Sequence, residues 1–442
     1  MRFMPPPRRC AGRAVSVSMD ERVWRLPGPR AFVSDIAAEH GRGRHVATVL
    51  PESLTLDPVF TDSLAVAILD EFATQSVSAR RVYDAGPGTS VFDAFCQALI
   101  FGDDRPATIP DLLRHEEARD VVAVVAAPDL SDVAREELAA FLQRVEVETH
   151  ATGRGQRLSI VAIMARGQLP AFAGGATSDV TLTSIWWWGR VARWDVAAYI
   201  VGLAGHPHRA GVLEDVRTES IVEVARWDLD LAEQLDDQWT GDPDELTVLL
   251  GEWCHVPVAA KPGKIESRPR TFYPSQAGLR PPEQMLGSWD SRLVDAWHEQ
   301  LTMSPRTLVG APEKLARVVW AAQARVFLPW IEEQRSALYE RVVTTLGARR
   351  FAEVLNNRFS PPLTADAAIE IGALDRVVRM AIGSSDQELC DVSRQLRKTR
   401  NWLSHMRPLS LADQESLVAA GKCLLDNGAD SLVTAMCLPS PR

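Results

Sequence analysis

The chain reads as an α/β domain with a doubly wound parallel sheet, followed by an all-α antiparallel helical bundle. Over the first half, short apolar runs alternate with helix-length stretches, the pattern of strands joined by crossover helices. Those runs are unbroken and rich in β-branched residues, as strands covered on both faces are. Past residue 285 the apolar positions recur with helical spacing, which fits helices packed on one another.

Taken in order, residues 45–50 (HVATVL) are the first strand and 60–72 its helix. Residues 80–84 are a second strand and 91–101 a second helix. Between them Gly86-Pro87-Gly88 marks a tight turn, with Thr89 or Ser90 placed to cap the helix. Residues 121–127 (VVAVVAA) form a third strand buried on both faces, 134–145 a helix, and 158–165 (LSIVAIMA) a fourth strand; residues 179–185 lead into a fifth. Trp186-Trp187-Trp188 follow. Three successive aromatics cannot share one face of a regular element, so they read as core packing a strand end against a helical lid over residues 191–253, not as a base-stacking platform.

The Pro-rich basic stretch 256–284 reads as a linker or docking loop. Beyond it, residues 312–345 hold one or two long helices and 368–382 another. The next helix carries the stripe Leu389, Val392, Leu396, Thr399, Leu403 and Met406 and is ended by Pro408. With Ser410 as N-cap, residues 411–426 are the last helix, with Leu417, Val418, Gly421, Leu424 and Leu425 on one side. The expected division is an N-terminal extension over 1–25, an α/β domain over 26–255, the linker over 256–284 and the bundle over 285–442.

At 442 residues, 46% hydrophobic and 24% charged, the chain can bury two or three sizeable cores, which excludes an intrinsically disordered protein. No apolar run reaches the roughly 20 residues that span a bilayer, so no membrane partner is expected. Six cysteines are scattered without paired spacing, which points to a reducing cytoplasm. Cys254-His255 and His206-Pro207-His208 stand isolated and make no metal pattern, and neither a metal nor another cofactor is expected.

The stretch richest in chemistry is Arg400-Asn401-Trp402-Leu403-Ser404-His405. At about 100° per residue, Arg400, Asn401, Ser404 and His405 fall roughly opposite the apolar stripe of their helix. Arg394, Arg397 and Lys398 share that polar side with Arg407 just beyond, and no Asp or Glu occurs from Val392 to Ala412. Such a strip suits a phosphate backbone although the whole chain carries a formal charge of −10. An imidazole can take the 2′-hydroxyl proton of RNA, a guanidinium can grip the scissile phosphate, and the adjacent amide can orient either. A charge run on a helix is also the ordinary look of a solvated face.

The motif and its bundle resemble the HEPN family of helical ribonucleases, whose signature is Arg, a polar residue (often Asn), a few further residues and then His at the end of a bundle helix. RNWLSH fits without a gap, and the resemblance covers about the last third of the chain. It implies catalytic roles for Arg400 and His405, a supporting role for Asn401, RNA contacts by Arg394, Arg397, Lys398 and Arg407, and a homodimer in which two motifs form one cleft. The substrate is then RNA, tRNA or mRNA, cleaved by internal transesterification.

The first half resembles a P-loop NTPase core of the AAA or STAND kind, with a departure that matters. After the first strand, where GxxxxGK[ST] is expected, stands Leu50-Pro51-Glu52-Ser53-Leu54-Thr55-Leu56-Asp57-Pro58, with no glycine, no lysine and two acids. The third strand ends in Ala126-Ala127-Pro128-Asp129 instead of an acidic pair. A degenerate, non-hydrolysing regulatory domain is expected. The whole resembles bacterial conflict effectors in anti-phage or stress defence, where a sensor, sometimes with a regulatory protein from a neighbouring gene, restrains a toxic nuclease. The competing expectation is a non-enzymatic dimerisation or binding module.

Overall fold

The computed structural model describes residues 21–83, 86, 88–152, 158–170, 181–203, 211–253, 271–309, 311–358 and 369–436. The chain runs α1 (Pro27–Gly41), β1 (His45–Leu50), the single turn α2 (Glu52–Thr55), α3 (Pro58–Thr74), β2 (Ser78–Val82), α4 (Val91–Leu99), α5 (Ile109–Arg114), β3 (Val121–Ala126), α6 (Asp132–Thr152), β4 (Ser159–Ala165) and β5 (Leu182–Trp186). It continues through α7 (Arg193–Leu203), α8 (Val212–Ala225), α9 (Leu229–Gln238), α10 (Pro243–Trp253), α11 (Leu286–Asp290), a hairpin of β6 (Val294–Trp297) and β7 (Gln300–Met303), then α12 (Pro312–Leu346), α13 (Ala348–Arg358), α14 (Ile371–Val377), α15 (Gln387–Ser404) and α16 (Leu411–Met436). The protein is thus a mixed α/β chain with one five-stranded parallel sheet and an extensive helical part.

Two compact units share the chain: Met1–Arg190 with Ser275–Ser291, and Val191–Pro274 with Arg292–Arg442. In the first, the strands order as β2-β3-β4-β1-β5, every neighbouring pair parallel. The middle strands β1 and β3 are buried along their whole length, which is why they lack polar alternation. Ala47, Ala123, Val125, Ala162 and Met164 share a core with Phe95 of α4, Leu112 of α5 and Leu138 of α6. The residues of opposite parity, among them Val46, Val124 and Ile163, are fully buried on the other side, where α1 and α3 pack on each other and on the strands.

The expected extension ends sooner than residue 25. Glu21–Arg25 form a 3₁₀ turn in which Val23 is fully buried and Trp24 meets Phe60 and Trp187; residues 1–20 lie outside the described part, as do residues 204–210 and 254–270, which include both His/Cys pairs noted above. Part of the expected linker is also structural. Gly278 takes a φ of +80°, accepts from the Trp186 N–H and donates to the Trp188 carbonyl, both at 2.9 Å. The three tryptophans are core, as expected: Trp186 packs on Trp289 and Trp187 on Phe32 and Phe60. Those partners belong to the sheet unit itself and not to residues 191–253.

Those lid helices fall in the second unit instead. Val216 of α8 joins the core built by Phe327 and Ile331 of α12, Leu374 of α14, Leu396 and Leu403 of α15 and Leu417 of α16. The physical reason is an apolar match: α12 runs unbroken for 35 residues with Pro329 inside it, long enough to offer a second apolar flank to α8. Between α14 and α15 the chain makes a π-helical turn, Val378–Ile382, ended by Gly383 at a φ of +55°.

Candidate active site

The motif occupies the last turn of α15. Asp386 caps its N-terminus by accepting the Leu389 N–H at 2.9 Å, and Leu389, Val392, Leu396, Thr399 and Leu403 are buried as their spacing predicts. Met406 breaks the expected stripe. The helix ends at Ser404, Met406 turns into the left-handed region at a φ of +58°, and its side chain is 58% exposed. The Arg407 N–H bonds to the Trp402 carbonyl and the Met406 N–H to that of Leu403, a Schellman closure with methionine where glycine is usual.

Two residues of α12 hold this end of α15. The Trp320 indole N–H donates to the Leu403 carbonyl at 2.6 Å. Gln323, fully buried, uses both ends of its amide on Leu409: it donates to the carbonyl at 2.9 Å and accepts the N–H at 2.6 Å. The Gln414 amide donates to the same carbonyl at 3.2 Å. The segment from His405 to Leu409 is therefore fastened at both ends. Spacing did not single out either α12 residue, yet Gln323 interrupts the ladder Val319, Gln323, Phe327, Ile331, and a polar group in an apolar ladder is a readable signal.

On the outward side Asn401, Ser404, His405 and Arg407 are exposed and Arg400 is half-buried. The strip of cations is less free than the local sequence suggests, because acids just outside the window or from another helix reach it. Arg394 pairs with Asp391 at 2.6 Å, Lys398 lies 3.9 Å from Asp413 and over the Trp402 ring, and Arg397 meets Asp375 at 3.2 Å. Asp375 is fully buried, receives Arg379 at 3.0 Å on the same oxygen and accepts from Ser393 at 3.2 Å. It is the anchor of that corner. Among the described residues, Arg400 and Arg407 have no acidic partner, so two fixed cations remain at the end of the helix beside an exposed imidazole. At the other end of α15, burial pushes the Cys390 thiol up, which disfavours its thiolate.

In the sheet unit, the loop after β1 makes the single turn α2 and then enters α3. Asp57 caps α3 by accepting the N–H groups of Val59 and Phe60 at 2.9 and 3.3 Å. Its carboxylate thus sits where a helix start would otherwise receive an anion. Ser90 caps α4 by accepting the Asp93 N–H at 3.1 Å, the role expected for the turn after Gly88. Asp129, at the end of β3, is held by Arg81, which also reaches Asp62 at 2.5 Å.

No family model matches the chain, and comparison with curated proteins finds no match either. Among the described residues, no helix is long and apolar enough to cross a membrane.

Proposed function

We propose that the second unit is a metal-independent endoribonuclease of the HEPN kind, regulated by a sheet unit that does not turn over nucleotide. The observation that carries this reading is selective charge pairing: the flanking cations of α15 are matched by Asp391, Asp375 and Asp413, whereas Arg400 and Arg407 beside His405 are left for an external anion. In the reaction His405 takes the 2′-hydroxyl proton, the 2′-oxygen attacks phosphorus, and the bond from phosphorus to the 5′-oxygen breaks as that oxygen takes a proton from water. Arg400 stabilises the charge that develops on the phosphate, and Asn401 orients it. Arg394 and Lys398, in exposed pairs of little net strength, can exchange their carboxylates for RNA phosphates; Arg397 is tied to buried Asp375 and contributes mainly by shaping the corner.

The products are a 2′,3′-cyclic phosphate and a 5′-hydroxyl. Two copies of the motif meeting in a homodimer would place a second His and Arg across the scissile bond. The test is incubation of the purified protein with total RNA in the presence of EDTA. Cleavage that disappears in both His405→Ala and Arg400→Ala supports the proposal. Strict dependence on a divalent cation, 5′-phosphate ends, or unchanged cleavage by the variants would overturn it. A dimer that binds RNA without cleaving it would support the non-enzymatic alternative.

A further inference from the structure

A groove of about 490 Å³ runs along the sheet unit where α3 meets α1 and the 3₁₀ turn Glu21–Arg25. Its α3 wall includes Val59, Asp62, Val66, Asp70 and Glu71, whose spacing puts them on one helix face. Val66, in the middle of that wall, is 38% exposed. Trp24 lines the other side and packs on Phe60 at a centroid distance of 5.4 Å, which seats the 3₁₀ turn beside the first turn of α3.

Charge points to the sign of the occupant. Helix α3 contains three acids and no Lys, Arg or His. Asp62 is taken by Arg81 at 2.5 Å. Asp70 is exposed, Glu71 accepts only from the Gln75 amide at 2.9 Å, and neither has a cationic partner among the described residues. Arg25 and Arg30 line the opposite side, Arg25 at 4.0 Å from Glu21. The α3 wall thus sets open carboxylates beside bare apolar surface, which suits a segment that alternates cations with apolar side chains.

Such a segment is joined to the groove covalently. Residues 1–20 meet the described chain at Glu21, itself part of the lining. They carry Arg2, Arg8, Arg9 and Arg13 against Asp20 alone. Arg13, Val15 and Val17 follow at a period of two, so an extended backbone puts a cation and two apolar groups on one side. Reach is sufficient. The rise of α3 from Phe60 to Glu71 is about 16 Å at 1.5 Å per residue, whereas the extended chain from Arg13 to Asp20 covers about 23 Å.

We infer that residues 1–20 dock along this groove, with Val15 and Val17 over Val66 and the arginines on Asp70 and Glu71. Exposed ion pairs are individually weak, but attachment at Glu21 gives the segment an effective concentration on the order of millimolar. An affinity too low to hold a free peptide therefore holds this one. The inference is independent of the ribonuclease reading, since none of these residues belongs to α15.

The experiment is hydrogen exchange on the full-length protein, read at the amides of residues 8–18 and referred to a synthetic peptide of the same sequence. Exchange in the wild type should be slower than in the free peptide by about threefold or more. The double variant Asp70→Lys, Glu71→Lys should lose this protection, and so should the triple variant Arg8→Glu, Arg9→Glu, Arg13→Glu, which leaves α3 untouched. Combining the two sets should restore it, and the rates should not depend on protein concentration. Exchange at the free-peptide rate in the wild type, or equal protection in the wild type and both variants, overturns the inference. Protection that grows with protein concentration would assign the groove to a second copy and overturn it as well.

Discussion

The Trp320 indole N–H donates to the Leu403 carbonyl at 2.6 Å, two residues before His405, so the long helix α12 sets where the motif ends. Trp320→Phe should lower stability by about 1 kcal/mol, the net worth of one hydrogen bond. Gln323→Ala should cost about 1–3 kcal/mol, because it strands the buried N–H of Leu409, while the carbonyl keeps the Gln414 amide. If the ribonuclease reading holds, both should lower cleavage at temperatures where far-ultraviolet circular dichroism still reports a folded chain. Full activity in folded Gln323→Ala would show that the loop needs no fastening.

The sheet unit should neither hydrolyse ATP nor bind it tightly, since Asp57 fills the start of α3 with its own carboxylate. Calorimetry with ATP and magnesium tests this, and micromolar affinity would contradict it. Asp57→Ala removes only the cap and should cost about 1 kcal/mol in thermal unfolding.

Gly278→Ala should destabilise the sheet unit by about 1–3 kcal/mol or more. At a φ of +80° an alanine is strained, and its methyl would meet the Arg190 guanidinium, which packs on Phe32 and pairs with Asp35 at 2.7 Å. Arg190 cannot easily step aside. Denaturant unfolding of the variant provides the check.

Acid should unfold the second unit first through Asp228. Burial alone would raise this carboxyl, but Arg306 and Arg292, at 2.8 and 3.1 Å, outweigh it and hold it below the ordinary aspartate value. Glu223 behaves alike: burial raises it, and Arg325 and His298 more than reverse that. Groups with depressed folded values contribute stability above the unfolded pKa, about 4, and lose it as pH falls through the folded value. Asp230 works the other way, since burial raises it despite Arg292. Asp228→Asn should therefore cost about 3–5 kcal/mol at neutral pH and flatten the loss of stability below about pH 4; an unchanged acid transition in that variant would refute the assignment.

What could be read from the chain followed burial. The strands β1, β3 and β4 were legible because both faces are covered and the runs are unbroken. The hairpin β6–β7 was not: its strands have four residues each, and its turn puts positive φ on His298 and Glu299, positions where Asn-Gly is the readable signal. The α15 stripe was correct as far as Leu403 and failed at Met406, because a left-handed closure without glycine leaves no mark in the sequence. The outward placement of Arg400, Asn401, Ser404 and His405 followed from helical spacing alone. The pairing of Arg397 with Asp375, twenty-two residues earlier on another helix, is a tertiary fact that no local window contains.

Because Ser275–Ser291 returns to the sheet unit after Val191–Pro274 has left it, the backbone passes from one unit to the other three times. Neither unit is a contiguous block of genetic text, and recombination at a single junction would hand on a sheet lacking Gly278 and Trp289. The two can be transplanted or inherited intact only together, and a chain nicked once after Arg190 would still hold its halves through the seat of Trp289 on Trp186.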